Sequence, residues 1–210
     1  MAIVARRVTP TYIGRRRGQV ERSSGARRTS QRNGGTKTAQ LYFNGLRVDD
    51  SQRVGAEGDG FKIALRTLDF GRLGLAAHSV GAAQRLLDAS IAYAKERKQF
   101  GKAIAVNQAI QWMLADAATE IHAARLMVYD AAARADRGER VTQRAAMTKL
   151  FATEMLGRVA DAAVQIHGGM GYMRELWIER AYRDARITRI YEGTSEVQRM
   201  VIAGGLLENT

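Results

Sequence analysis

The stretch GFKIALRTLDFGRLGLAAHSVGAAQRLLDASIAYAKER, residues 60–97, contains no proline and runs on a helical period. Its apolar residues fall at Phe61, Ala64, Leu65, Leu68, Leu75, Val80, Leu86, Leu87 and Ile91. That recurrence is the mark of one face of an amphipathic helix, and it predicts a single long helix. Gly71, Gly74 and Gly81 lie inside it. Each costs about 1 kcal/mol against alanine, and glycines kept in such places usually mark the close approach of another backbone or of a ligand.

Downstream, Gly101 and the AIAV of 103–106 break the period. Asn107, a good N-cap, opens a second helix through Ile110, Leu114, Ala117, Ile121, Leu126 and Val128 to an Arg137-Gly138 stop. Thr142 is placed to cap a third, carrying Leu150, Phe151, Met155, Val159 and Ile166 and ending at Gly168-Gly169. A shorter helix is expected over about 177–186. A last one follows Glu192-Gly193-Thr194, capped by Thr194, and runs to about Leu207. Long helices on short loops become antiparallel neighbours, so the fold class is all-α, an up-down antiparallel bundle whose many alanines allow close packing.

Upstream the texture differs. Residues 1–38 hold ten Lys or Arg against one acid, Glu21, for a net +9, whereas the chain as a whole is +12. The globular part is therefore close to balanced, which speaks against reading the total charge as a nucleic-acid footprint. Residues 1–37, rich in Arg, Ser, Gly and Thr, show no apolar period and read as a disordered basic extension. That extension could bind nucleic acid or anionic lipid, could be a transit peptide, or could be solvated chain without a role. Within residues 38–57, the TAQLYFNGLRV of 38–48 alternates around Leu41 and Phe43 and reads as a short strand without a partner.

The chain has no cysteine, which excludes disulfides, cysteine-ligated zinc and thiol catalysis. His78, His122 and His167 lack metal-ligand spacing, so no metal is expected. No apolar run reaches the eighteen residues of a membrane span, so a cytoplasmic protein is expected, with the mitochondrial matrix as the alternative.

Five stretches in order carry a resemblance. They are GAEGDGFKIALRTLDFGR (55–72), YAKERKQFGKAI (93–104), the helix start at Gln108, VQIHGGMGY (164–172) and RDARITRIYEGTSEVQR (183–199). Together they resemble the acyl-CoA dehydrogenase family, over its C-terminal helical domain at residues 58–210. TAQLYFNGLRV looks like the end of that family's middle β-domain. The resemblance implies an FAD-dependent enzyme that oxidises an acyl-CoA thioester to its trans-2-enoyl form and passes electrons to an electron-transferring flavoprotein.

It also implies roles. Glu192 of YEGT corresponds to the base that removes the α-proton. Some members place the base immediately before the arginine of the LDxxR-like segment, and in this chain that position is Gly71, so Glu192 has no rival. A carboxylate base for so weak an acid needs a water-poor site, and the enolate oxygen needs donors already aimed at it. By resemblance, those donors are the N–H of Glu192 and a ribityl hydroxyl of FAD. Without the neighbouring motifs, Glu192 would read as an ordinary acid at a helix N-terminus.

Arg97, Gln108, Gln165, Ile166, His167, Gly168 and Gly169 resemble positions that contact FAD across a subunit interface. Thr194, Ser195 and Glu196 resemble contacts within the subunit. Asp69, Phe70, Gly71, Arg72 and Gly193 resemble the substrate-contacting segments. A guanidinium at Arg97 suits a pyrophosphate, although it also reads as a surface arginine, and Arg72 also reads as one half of an interhelical ion pair. Gly168-Gly169 reads equally as a helix stop, and His167 as a packed or hydrogen-bonding residue rather than an acid–base group.

Family members carry an N-terminal helical domain and a middle β-domain before the bundle, and neither is expected here. Three readings follow: a flavoenzyme subunit, active alone or with a complementary chain; a catalytically silent oligomerisation module; or the remnant of a disrupted gene. The bundle is expected to expose apolar surface and to associate as a homo-oligomer or with that second chain.

Overall fold

The computed structural model describes residues 49–207, so the basic extension of 1–37 and the strand expected at 38–48 lie outside the described residues. The chain divides into two compact units, Met1–Gly60 and Phe61–Thr210. The described part of the first is a short 3-10 turn, Asp50–Gln52, capped by Asp49, whose Oδ1 accepts from the Ser51 N–H at 3.0 Å.

The second unit is built from five helices: α1 (Gly60–Glu96), α2 (Gln108–Asp136), α3 (Thr142–His167), α4 (Ile178–Thr188) and α5 (Ser195–Leu207). Between α1 and α2 a two-residue hairpin, β1 (Lys98–Gln99) and β2 (Lys102–Ala103), pairs Lys98 with Ala103 and Gln99 with Lys102. Its turn, Phe100-Gly101, has φ of 48° and 79°, the left-handed pair that matches hairpin twist. These strands are too short to leave an alternating pattern, and the sequence shows only a break there.

The core lies along spaced small and apolar residues: Ala76, Val80, Ala83 and Leu87 of α1, Ala117, Ile121 and Ala124 of α2, and Ala152, Met155, Val159 and Ala163 of α3. Ile178 and Ala185 of α4 complete it. Alanines at these steps bring helix axes close. Two smaller clusters fix the directions. Leu73, in the first half of α1, packs with Ala131, Val141 and Ala145 around the α2–α3 connection. Ala94, near the end of α1, packs with Ile104 and Ile166, at the α2 start and the α3 end. Helix α2 therefore runs antiparallel to α1 and α3, as an up-down bundle requires. Helix α3 also packs against α4 and α5 and is the central element.

Neither expected cap makes its side-chain bond. Asn107 precedes α2 in extended conformation but makes no side-chain cap bond. Thr142 is the first residue of α3, with Val141 in the cap position, and its hydroxyl instead donates to Asp69 Oδ2 on α1 at 2.7 Å. At Thr142 a tertiary contact overrode the local preference.

Met155 is fully buried at the centre of this core. Met155→Ala is expected to destabilise the chain by about 2–5 kcal/mol, read as a lowered midpoint in urea denaturation with an unchanged slope.

Candidate active site

The loop of residues 189–194 joins α4 to α5 and is closed by the Ser195 N–H donating to the Arg189 carbonyl at 3.1 Å. Within it Glu192 has φ 59° and Gly193 φ 93°. A left-handed glutamate is strained by roughly 1–3 kcal/mol and persists only where its surroundings over-determine it. Here the surroundings are three side chains from three helices. Arg72 Nε of α1 donates to the Glu192 carbonyl at 3.3 Å. Gln198 Nε2 of α5 donates to the same carbonyl at 3.2 Å and to that of Gly193 at 3.0 Å. Lys149 Nζ of α3 donates to the Gly193 carbonyl at 2.8 Å. Gly193 supplies the positive φ that a side chain rarely adopts, and a β-carbon there would also displace Gln198 Nε2, 2.6 Å away.

The Glu192 side chain lies against the backbone of α1. A β-carbon on Gly71 would stand 2.7 Å from Glu192 Oε2 and 3.4 Å from Oε1. Gly71 is thus the helix glycine that makes a close approach. Gly74 and Gly81, expected to do the same, face open space, and no neighbour explains them.

Asp69 and Arg72 are both buried and pair with each other at 3.1 Å, with Thr142 holding the second Asp69 oxygen. Phe70, between them, is exposed. The Asp69–Arg72 segment therefore turns its charges inward toward the loop and its aromatic ring outward. Lys149 is wholly buried, and burial pushes its ammonium down from 10.5 to about 8. The charge of Arg72 acts in the same direction, while Glu192, Glu154 and Glu196 oppose it.

Lys149 and Gln198 were missed by sequence reasoning. The signal was present for Lys149, a lysine on the same stripe as Ala145, Ala152 and Leu156, where an apolar residue is the norm. Thr194 caps α5, its hydroxyl accepting from the Val197 N–H at 3.4 Å, and it holds the exposed Glu196 carboxyl below its ordinary value. Ser195, next to it, is buried.

The other candidate residues lie at the far end of α1. Arg97 and Gln108 are exposed around the hairpin, and Gln165, Gly168 and Gly169 are exposed at the end of α3. Gly168 has φ 56°, and a β-carbon on either glycine would meet nothing, so the backbone there is open to another molecule. Ile166 is buried against Ala94 and Ile104. His167 is buried too, stacked on Tyr93 at 4.4 Å with Nδ1 2.7 Å from the Ala163 carbonyl. Gly171, not singled out from the sequence, is sterically obligatory, since a β-carbon would lie 2.7 Å from the Val164 carbonyl oxygen. Gly71 and Arg97 are separated by about 39 Å at 1.5 Å per helical residue. The two groups of residues therefore lie well apart along α1.

The family model for the acyl-CoA dehydrogenase C-terminal domain matches residues 58–207. The chain belongs to the acyl-CoA dehydrogenase family. It is 50% identical over 174 residues to the caffeyl-CoA reductase–Etf complex subunit CarC of Acetobacterium woodii, covering 83% of this chain and 46% of that protein. Butyryl-CoA dehydrogenase from Megasphaera elsdenii superposes with a TM-score of 0.80 at 46% identity, over 82% of this chain and 45% of that one. PigA, solved with FAD and proline, gives a TM-score of 0.79 at 32% identity, over 83% of this chain and 46% of its own. The chain spans a little under half the length of the relatives it matches. Among the described residues no helix is long and apolar enough to cross a membrane, and no group of three His, Cys, Asp or Glu could hold a metal ion.

Two outcomes follow from the geometry. Gly71→Ala adds a methyl against a flexible carboxylate end, which can give way, while alanine favours the helix by about 1 kcal/mol. The variant is expected to be as stable as the parent or slightly more so in urea denaturation; a loss of several kcal/mol would mean that Glu192 cannot move. For Lys149, the folded value of about 8 lies below the ordinary 10.5, so the unfolded chain binds more protons between those pH values. Stability contributed by this group is therefore lowest below pH 8 and rises toward pH 10.5, by an amount on the order of 3 kcal/mol. Lys149→Met should abolish that rise, measured as the pH dependence of the stability difference between variant and parent. A difference that stays flat with pH contradicts it.

Proposed function

We propose that this chain supplies the catalytic base and part of the flavin site of an enzyme that converts an acyl-CoA to its trans-2-enoyl-CoA. The observation that carries the reading is Glu192, left-handed in a loop gripped by three helices, with its carboxylate laid against Gly71. A base must be held within a fraction of an ångström of its proton, and donors borne on packed helices do that better than a free loop.

In the forward direction the Glu192 carboxylate removes the α-proton of the thioester. The electron pair of that C–H bond becomes the Cα–Cβ double bond as hydride leaves the β-carbon. Bound FAD supplies the acceptor for that hydride, and an electron-transferring flavoprotein takes the electrons onward. The side chains suited to holding the dinucleotide are the exposed guanidinium of Arg97, the amides of Gln108 and Gln165 and the bare backbone of Gly168-Gly169, with Thr194 and Glu196 near the base. The distance between the two groups along α1 supports a site shared between two copies, one giving Thr194–Glu196 and the other the Arg97 group.

The reverse reaction is a second reading, favoured by the relative named as a caffeyl-CoA reductase subunit. Glu192, protonated, would then act as the acid that returns the proton to the α-carbon, with the same side chain in the same place.

The test is a visible spectrum of the purified chain with and without FAD, read with its size-exclusion profile. The expected result is bound flavin in a discrete homo-oligomer that acyl-CoA can reduce. In that complex Glu192→Gln is expected to lower the reduction rate by about 10²–10⁴-fold. Activity surviving that change would remove Glu192 as the base. No flavin at saturating FAD would reject a site built from this chain alone; a clean oligomer would then favour a non-catalytic assembly module or a complementary partner chain.

A further inference from the structure

We propose that Lys149 is a positioning residue for Glu192: its ammonium, borne on the central helix α3, grips the Gly193 carbonyl and so fixes the left-handed turn that lays the Glu192 carboxylate on Gly71. The proposal rests on the reading of Glu192 as the base, and it concerns how that base is held.

The geometry separates Lys149 from the other two donors. Arg72 is divided between Asp69 and the Glu192 carbonyl, and Gln198 between two carbonyls. Lys149 makes one hydrogen bond at 2.8 Å, the shortest of the four side-chain bonds that reach the Glu192 and Gly193 carbonyls. The Gly193 peptide it holds is the hinge of the turn, because Gly193 at φ 93° follows the strained Glu192 at φ 59°. With Lys149 removed, the Gly193 carbonyl keeps only the 3.0 Å bond from Gln198, a side chain on the same short helix that the loop leads into. The anchor to the bundle centre is then gone.

The charge of Lys149 matters as well as its reach. The charged groups that act on it come from three helices and the loop: Arg72 from α1, Glu154 from α3, Glu192 from the loop and Glu196 from α5. Glu192 is the carboxylate that favours the ammonium most strongly among them. Burying an ammonium where an apolar residue would pack without loss is unfavourable, so packing alone does not call for a lysine at this position. A chain kept in place only by shape would accept methionine.

The experiment uses the full chain with its lysines labelled at Cε and Nζ and its backbone labelled with ¹⁵N, followed by NMR through neutral and alkaline pH. Lys149→Met is expected to displace the amide signals of Glu192 and Gly193, and Lys149→Arg to bring them back toward the parent. Glu192→Gln, which keeps the lysine, is expected to move the Lys149 titration midpoint to lower pH. Unmoved Glu192 and Gly193 signals in a folded Lys149→Met chain would overturn the proposal. If Lys149→Met does not fold, the Glu192→Gln titration decides by itself, and an unmoved midpoint would overturn the proposal equally. Failure of the base reading looks different: the turn still responds to Lys149, while the flavin-loaded Glu192→Gln complex retains its activity.

Discussion

Two successive backbone carbonyls, those of Glu192 and Gly193, are the point on which the candidate site depends. A partly buried carbonyl is best served by a donor, and in this left-handed turn those donors are side chains. They come from α1, α3 and α5, as Arg72, Lys149 and Gln198. The loop conformation is therefore conditional on the bundle being packed. Arg72 is in turn oriented by Asp69, and Asp69 by Thr142 at the first turn of α3. A connected chain of polar contacts thus runs from the start of the central helix to the loop, and a hydroxyl that could have served as a helix cap is used to extend it.

The helices were legible in the sequence because their apolar period is long and uninterrupted. The first was expected over 60–97 and spans 60–96, and the end of the third at Gly168-Gly169 follows from the glycine that leaves the helix with positive φ. Glycine inside a helix proved a weaker sign. Gly71 meets Glu192 while Gly74 and Gly81 meet nothing, and no local feature distinguishes the three, since the deciding neighbour is 121 residues away in sequence. Lys149 and Gln198 escaped for the same reason. A polar residue on an apolar stripe reads as an imperfection of the pattern until its acceptor is located, and that acceptor belongs to a loop whose backbone geometry the sequence does not reveal.

Motif order likewise says nothing of distance. The residues expected near a dinucleotide fall into two groups because α1 is 37 residues long and joins them at opposite ends. The α1–α2 hairpin, with Phe100 wholly exposed, closes one end, and the Glu192 loop closes the other. A rigid helix of that length fixes the separation, and no side-chain rearrangement closes it. In the proposed shared site a nucleotide touching both groups would be reached by two chains, so assembly and cofactor binding would be linked.

Stability and position pull in opposite directions at this end of the bundle. A glutamate at φ 59° and an ammonium with no exposed surface are each unfavourable, and they meet at one turn, where the ammonium holds the Gly193 carbonyl. The core along α1, α2 and α3 offsets both, because its alanines and its buried Leu86, Ile121 and Met155 leave little room for the helices to shift. The anchor comes from α3, the helix packed against α2, α4 and α5. A loop held from the periphery could relax Glu192 into the ordinary right-handed region by moving its own backbone. Held from the centre, it can do so only by breaking a bond to the core.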